Sequence, residues 1–133
     1  GVVSALNAAR LVAETGPLSD FCELRQLMRY GGLNLRERQS GRWRGQTKVS
    51  RRGRAALRKV LGIIVLPLVK EKSLYGRYYH GKKDRDKMPG TKAMVCVMRK
   101  FLKMFFGWYH SKASFHEERV FLCESTYARQ AAA

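Results

Sequence analysis

The chain has 133 residues, 45% of them apolar, which suits one folded domain and excludes a disordered tail. Its formal charge of +17, from 27 Lys and Arg against 10 Asp and Glu, points to a polyanionic partner. The longest apolar run, VLGIIVLPLV, contains Pro67 and falls well short of the ~20 residues a membrane helix needs, so a spanning segment is excluded.

Val2 to about Thr15 is apolar nearly all round and predicts a buried helix, ended by Gly16-Pro17. Asp20 and Glu23 have the spacing of a capping box, and Phe21, Leu24, Leu27 and Met28 then form one helical face. Gly31-Gly32 closes this second helix, and the two helices together predict an αα-hairpin. Residues 33–49 lack a helical period and carry Gly41 and Gly45, which predicts a loop or a small extended ribbon.

Ser50 stands where an N-cap would be, before Ala56, Leu57, Val60, Leu61 and Ile64 at helical spacing, and Pro67 is expected to kink or end that helix. Gly53, in the first turn of this helix, would leave the backbone accessible. SLYGRYYHG predicts a short aromatic helix and KKDRDKMPG a charged connector. Pro89 suits the start of a long helix in which Met94, Val97, Met98, Phe101, Phe105 and Trp108 form a core stripe, with Lys100, Lys103 and Lys112 off it. The expected fold class is therefore all-α: a compact helical domain of about five helices, with an αα-hairpin and a basic loop.

The charge is unevenly placed. Residues 1–35 balance three bases against three acids, whereas residues 36–59 hold ten bases and the single acid Glu37. Arginine dominates this stretch, and a guanidinium pairs with phosphate bidentately where an ammonium does not. Arg36, Arg38, Arg42, Arg44, Lys48, Arg51, Arg52, Arg54 and Arg58 are the candidate nucleic-acid contacts.

Ser40 lies within this stretch and is followed by Gly41, whose missing side chain would let a phosphate approach the backbone. Flanking guanidinium groups suit the charge that builds on phosphate oxygens when a hydroxyl attacks a phosphodiester. Ser-Gly is also a common turn dipeptide, and both readings stand at this point. Ser50 is assigned to capping and phosphate positioning rather than attack. Trp43 either stacks on a base or anchors the loop. The thiols Cys22, Cys96 and Cys123 have no metal-ligand spacing and suggest a reducing compartment, and Asp84 and Asp86 sit in basic surroundings, so no metal site is expected.

The ordered set Glu14-x-Gly16, Phe21, Arg25-Gln26-Leu27, Tyr30-x-Gly32-Leu33, Arg36, Ser40-Gly41, Lys48-x-Ser50-Arg51-x-Gly53 and Leu57-Arg58, with Arg99-Lys100 later, resembles the C-terminal domain of the insertion-sequence 110/116/902 group of transposases. The resemblance covers about residues 1 to 112. It departs at Arg54, where members often carry Asn.

The resemblance implies a DNA recombinase that cuts and rejoins strands through a serine nucleophile, matched by Ser40, with a phosphoserine intermediate. It places magnesium in an upstream ribonuclease-H-like domain, so no cofactor is expected in this chain. It implies DNA and a structured guide RNA as partners and homo-oligomerisation of the full-length protein. The chain begins without Met, which suggests a piece of a larger polypeptide, and the fragment is expected to bind nucleic acid without cleaving it. Residues 1–115 are expected to form the serine domain and 116–133 a tail, in a cytoplasmic protein with no membrane partner. The alternative is a non-catalytic nucleic-acid-binding helical module.

Overall fold

The computed structural model describes residues 3–36, 39–45, 47–70 and 72–112, with the backbone alone at Gln39, Ser40, Trp43 and Arg44. The tail expected at 116–133 lies outside the described residues. Five α-helices dominate, as the sequence predicts: α1 (Ala5–Thr15), α2 (Leu24–Tyr30), α3 (Ala55–Lys70), α4 (Leu74–Asp84) and α5 (Gly90–Ser111). Between α2 and α3 lie four two-residue strands, β1 (Leu35–Arg36), β2 (Gln39–Ser40), β3 (Trp43–Arg44) and β4 (Lys48–Val49). The chain divides into two compact units, Gly1–Val65 and Leu66–Ala133, and α3 crosses the boundary.

In the first unit, Ser4 caps α1 by accepting a hydrogen bond from the Asn7 amide at 3.3 Å. The helix is not buried as its composition suggests. Only Leu11 and Thr15 are inaccessible, while Leu6 and Val12 are 61% and 54% exposed. Apolar composition supplies a face that can be buried; among the described residues only one side of α1 is covered.

Leu18–Asp20 is a 3-10 turn, and the capping box falls three residues later than Asp20-Glu23 predicts. Glu23 is the N-cap of α2, and the Gln26 side chain accepts from the amides of Cys22 and Glu23, at 2.8 and 3.3 Å. Leu11, Leu18, Leu27, Met28, Leu33, Leu57, Leu61, Ile64 and Val65 are the buried apolar residues of this unit.

The ribbon reading of residues 33–49 is borne out, as two ladders on one hairpin path. β1 pairs antiparallel with β4, Leu35 opposite Val49 and Arg36 opposite Lys48. β2 pairs with β3, Gln39 opposite Arg44 and Ser40 opposite Trp43. Gly41 and Arg42 form the two-residue turn, with Gly41 at φ +61°, the conformation a tight hairpin asks of glycine at its first turn position.

Ser50 does not cap α3. The helix begins at Ala55, and the Ser50 hydroxyl accepts from the Arg52 amide at 3.3 Å, closing a local turn instead. Residues 50–54 are committed to backbone pairing with residues 30–34, which delays the helix: the amides of Ser50, Arg51 and Arg54 donate to the carbonyls of Asn34, Gly32 and Tyr30 at 2.8, 2.9 and 2.8 Å. Pro67 does not end α3, which continues to Lys70. The carbonyl that Pro67 leaves without an amide belongs to Ile63, a residue 43% exposed, so water reaches that side of the helix.

In the second unit, α4 and α5 pack as a helical hairpin. Ser73 caps α4, accepting from the Gly76 amide at 3.1 Å while donating to the Leu68 carbonyl at 2.8 Å. Leu68, Val69, Tyr75, Ala93, Val97, Phe101 and Leu102 are its buried hydrophobic residues, with the Tyr75 and Phe101 rings 6.2 Å apart. The core stripe expected on α5 is only partly buried. Val97 and Phe101 are inside, but Trp108 is 46% exposed, and Lys100, expected off the stripe, is buried with its ammonium 5.7 Å from the centre of the Tyr78 ring. A 22-residue helix extends past the 11-residue α4, so among the described residues of this unit its last turns have less to pack on.

Candidate nucleic-acid interface

The ribbon sets like charges against each other. Arg36 and Lys48 are exposed and directly opposed across the outer ladder, an arrangement that costs stability in an antiparallel pair. Arg42 is exposed in the turn, next to Ser40 at the end of β2. Among the described residues, a side chain added to Gly41 would meet nothing within 4 Å, so they leave the backbone at the hairpin end open to a bulky group. Arg44 lies on β3 opposite Gln39. Arg38 lies outside the described residues.

Just after β4, Arg51 and Arg52 are exposed, and Arg51 is held in the left-handed region at φ +53°. Its N–H donates to the Gly32 carbonyl at 2.9 Å, so the two neighbouring guanidinium-bearing residues and half-exposed Ser50 are presented from an anchored backbone.

Two of the arginines in the candidate set make bonds within the protein. Arg54 Nε donates to Glu14 Oε2 at 2.7 Å and Arg54 Nη1 to the Tyr30 hydroxyl at 3.1 Å, while Tyr30 itself donates to the Glu14 carbonyl at 3.2 Å. The bond to Glu14, then that to Tyr30, holds the Arg54 guanidinium still more firmly protonated than usual. Its side chain remains half exposed. Arg58, on the first turn of α3, donates through Nη1 to the carbonyls of Gly31 and Gly53 at 3.0 and 3.2 Å.

Gly53 is not an open approach to the backbone. It precedes α3, and a Cβ there would lie 2.3 Å from the Gly32 amide nitrogen and 2.7 Å from the Tyr30 carbonyl oxygen. Gly32, at φ +67°, faces Arg58 and the backbone of Arg51 and Arg52 in turn. The two glycines let the chain segments that carry the ribbon lie against one another. Sequence reading missed the roles of Glu14 and Tyr30 as partners of Arg54, although both belong to the ordered motif set; their polar character alone does not name a partner so far along the chain.

The match to known proteins covers this whole region. Residues 2–80 match the Transposase IS116/IS110/IS902 family, more than half of the chain. The chain belongs to this transposase family. A transposase acts on DNA, and the matched span takes in the ribbon, Ser40 and every base between Arg36 and Lys59. A comparison with curated proteins returns no match. Among the described residues of this transposase-family chain no helix is long and apolar enough to cross a membrane, and no group of three His, Cys, Asp or Glu is placed to hold a metal ion.

Proposed function

We propose that this chain grips the phosphate backbone of DNA with its basic ribbon and supplies Ser40 as the nucleophile of strand cleavage. The observation that carries the reading is the place of Ser40 in the fold: at the end of β2, beside the Gly41–Arg42 turn, where the described residues leave the backbone unobstructed and the surrounding positions are basic. In the proposed step the Ser40 oxygen attacks a scissile phosphorus. An Oγ–P bond forms, the P–O3′ bond breaks, the serine proton passes to a base, and the departing oxygen is protonated to a 3′ hydroxyl. Attack by another strand's 3′ hydroxyl on the phosphoserine reverses these changes and restores the serine. The ester conserves the bond energy, so no nucleotide triphosphate is consumed.

Arg36, Arg42, Lys48, Arg51 and Arg52 are assigned to phosphate contact, with Arg38 and Arg44 completing the set and Ser50 and Gly41 allowing close approach. Arg54 and Arg58 are assigned to holding the ribbon's base, with Arg54 keeping exposed surface for a phosphate. Magnesium and the general base are assigned to no residue of this chain; the resemblance puts magnesium in an upstream ribonuclease-H-like domain of the full-length transposase. A guide RNA and homo-oligomerisation belong to the same proposal.

The deciding experiment is mass spectrometry of the full-length transposase after incubation with a DNA substrate. A nucleotide adduct on Ser40, absent from Ser40→Ala, is expected. Covalent capture that persists in Ser40→Ala overturns the assignment and leaves the second reading, a nucleic-acid-binding module, which the crowding of exposed bases supports without any role for the hydroxyl.

A further inference from the structure

Helix α5 carries the bases Lys92, Arg99, Lys100 and Lys103 and not one Asp or Glu. Lys100 is turned inward. The other three recur at steps of seven and four residues, so they fall on one line of the helix. That line lies away from the side that buries Ala93, Val97 and Phe101. Lys92 and Lys103 are exposed and Arg99 is half-buried.

Helix stability does not account for this arrangement. Arg99 and Lys103 are like charges at i and i+4, which repel. Lys92 sits in the first turn, where the helix dipole disfavours a cation and where α5 has no acid to offset it. Among the described residues none of the three makes an ion pair, and the buried Nε of Arg99 has no acceptor. From Lys92 to Lys103 the line is about 16 Å long, the axial length of roughly five base pairs of duplex.

We propose that this face of α5 is a second contact for the phosphate backbone of duplex DNA, separate from the ribbon and lying beyond the family-matched residues 2–80. It rests on the reading of the chain as a DNA-binding protein. The partner is DNA because the chain's family acts on DNA, and the recognition is of charge spaced along a line, with no base reading.

The test is the salt dependence of binding of a short duplex DNA to this chain, followed by fluorescence anisotropy. Lys92→Gln/Lys103→Gln is expected to reduce the slope of log affinity against log salt by about 1.8, at ~0.9 for each phosphate that is no longer neutralised, with the melting temperature unchanged. If the double variant melts early, each single variant is expected to lower the slope by ~0.9. Lys70→Gln/Lys72→Gln removes the same charge elsewhere in this unit and is expected to reduce the slope by less than half as much.

A steep wild-type response with an unchanged double variant overturns the α5 contact and leaves the proposed function standing. An equal reduction in the Lys70/Lys72 control overturns it as well, since net charge alone would then be read. A reduction seen only with duplex RNA of the same length overturns the assignment to DNA. A flat wild-type response overturns this inference and the DNA-binding part of the proposed function together.

Discussion

Glu14 and Arg54, forty residues apart in the sequence, meet in an ion pair of 2.7 Å, with the Tyr30 hydroxyl as a second acceptor for the same guanidinium. The last turn of α1, the last residue of α2 and the residue before α3 are thereby tied at one point, at the start of the paired segments that lead into the ribbon. Glu14→Gln keeps the shape and a neutral acceptor but removes the charge. The pair is partly solvent-exposed, so only a small fall in melting temperature is expected. The affinity for duplex DNA should rise slightly in the same variant, because one competing carboxylate is gone. A fall in affinity with unchanged melting would mean that Glu14 orients Arg54 for phosphate.

Gly53→Ala is expected to be among the most damaging single substitutions in the chain. Its Cβ would fall 2.3 Å from the Gly32 nitrogen, and backbone has nowhere to go without breaking the Arg51–Gly32 and Arg54–Tyr30 bonds. Overpacking of this kind costs on the order of 3 kcal/mol. A shift in the urea midpoint at constant slope measures it.

Gly41→Ala provides the contrast. Among the described residues nothing lies near the added methyl group, so the cost comes from the left-handed backbone at φ +61°, about 1–2 kcal/mol. Global unfolding in urea should weaken by no more than that amount, less than for Gly53→Ala, while amide exchange at the hairpin end should accelerate. If Gly41→Ala unfolds the protein as Gly53→Ala does, the ribbon is more deeply integrated than its open turn indicates.

Arg51→Gln/Arg52→Gln tests the anchored pair just after β4. Both are exposed and bond the rest of the protein through backbone amides, which the substitutions leave intact. The salt slope for duplex DNA should fall by about 1.8 if each neutralises one phosphate. Circular dichroism should not change.

Asp86 accepts hydrogen bonds from Lys82 at 3.0 Å and Arg85 at 3.2 Å, and these bonds, Lys82 first, hold its carboxyl below the usual range. A depressed carboxyl stabilises the fold above its unfolded value and ceases to do so as pH falls through the folded value. The wild-type protein should therefore melt earlier as pH drops through the acidic carboxylate range. Asp86→Asn should show a smaller acid sensitivity at the α4–α5 connection, read by amide exchange at Met88.

Helix positions, the ribbon and the family were legible in the sequence because each rests on local information. Apolar spacing marks α3 and α5, paired glycines mark the end of α2, and the ordered motif set names the transposase family. The concentration of bases between Arg36 and Lys59 needs no structure to be seen. Tertiary structure alone decided what the motif glycines and polar residues do. Gly53 looked like an opening and is a close backbone crossing; Ser50 looked like a cap and closes a turn; Arg54 and Arg58, expected as nucleic-acid contacts, also bond partners elsewhere in the chain. The physical reason is that periodicity reports which side of an element is apolar. It does not report which element arrives to cover it, as exposed Leu6 and Val12 on α1 demonstrate, nor which carboxylate forty residues away a guanidinium will meet.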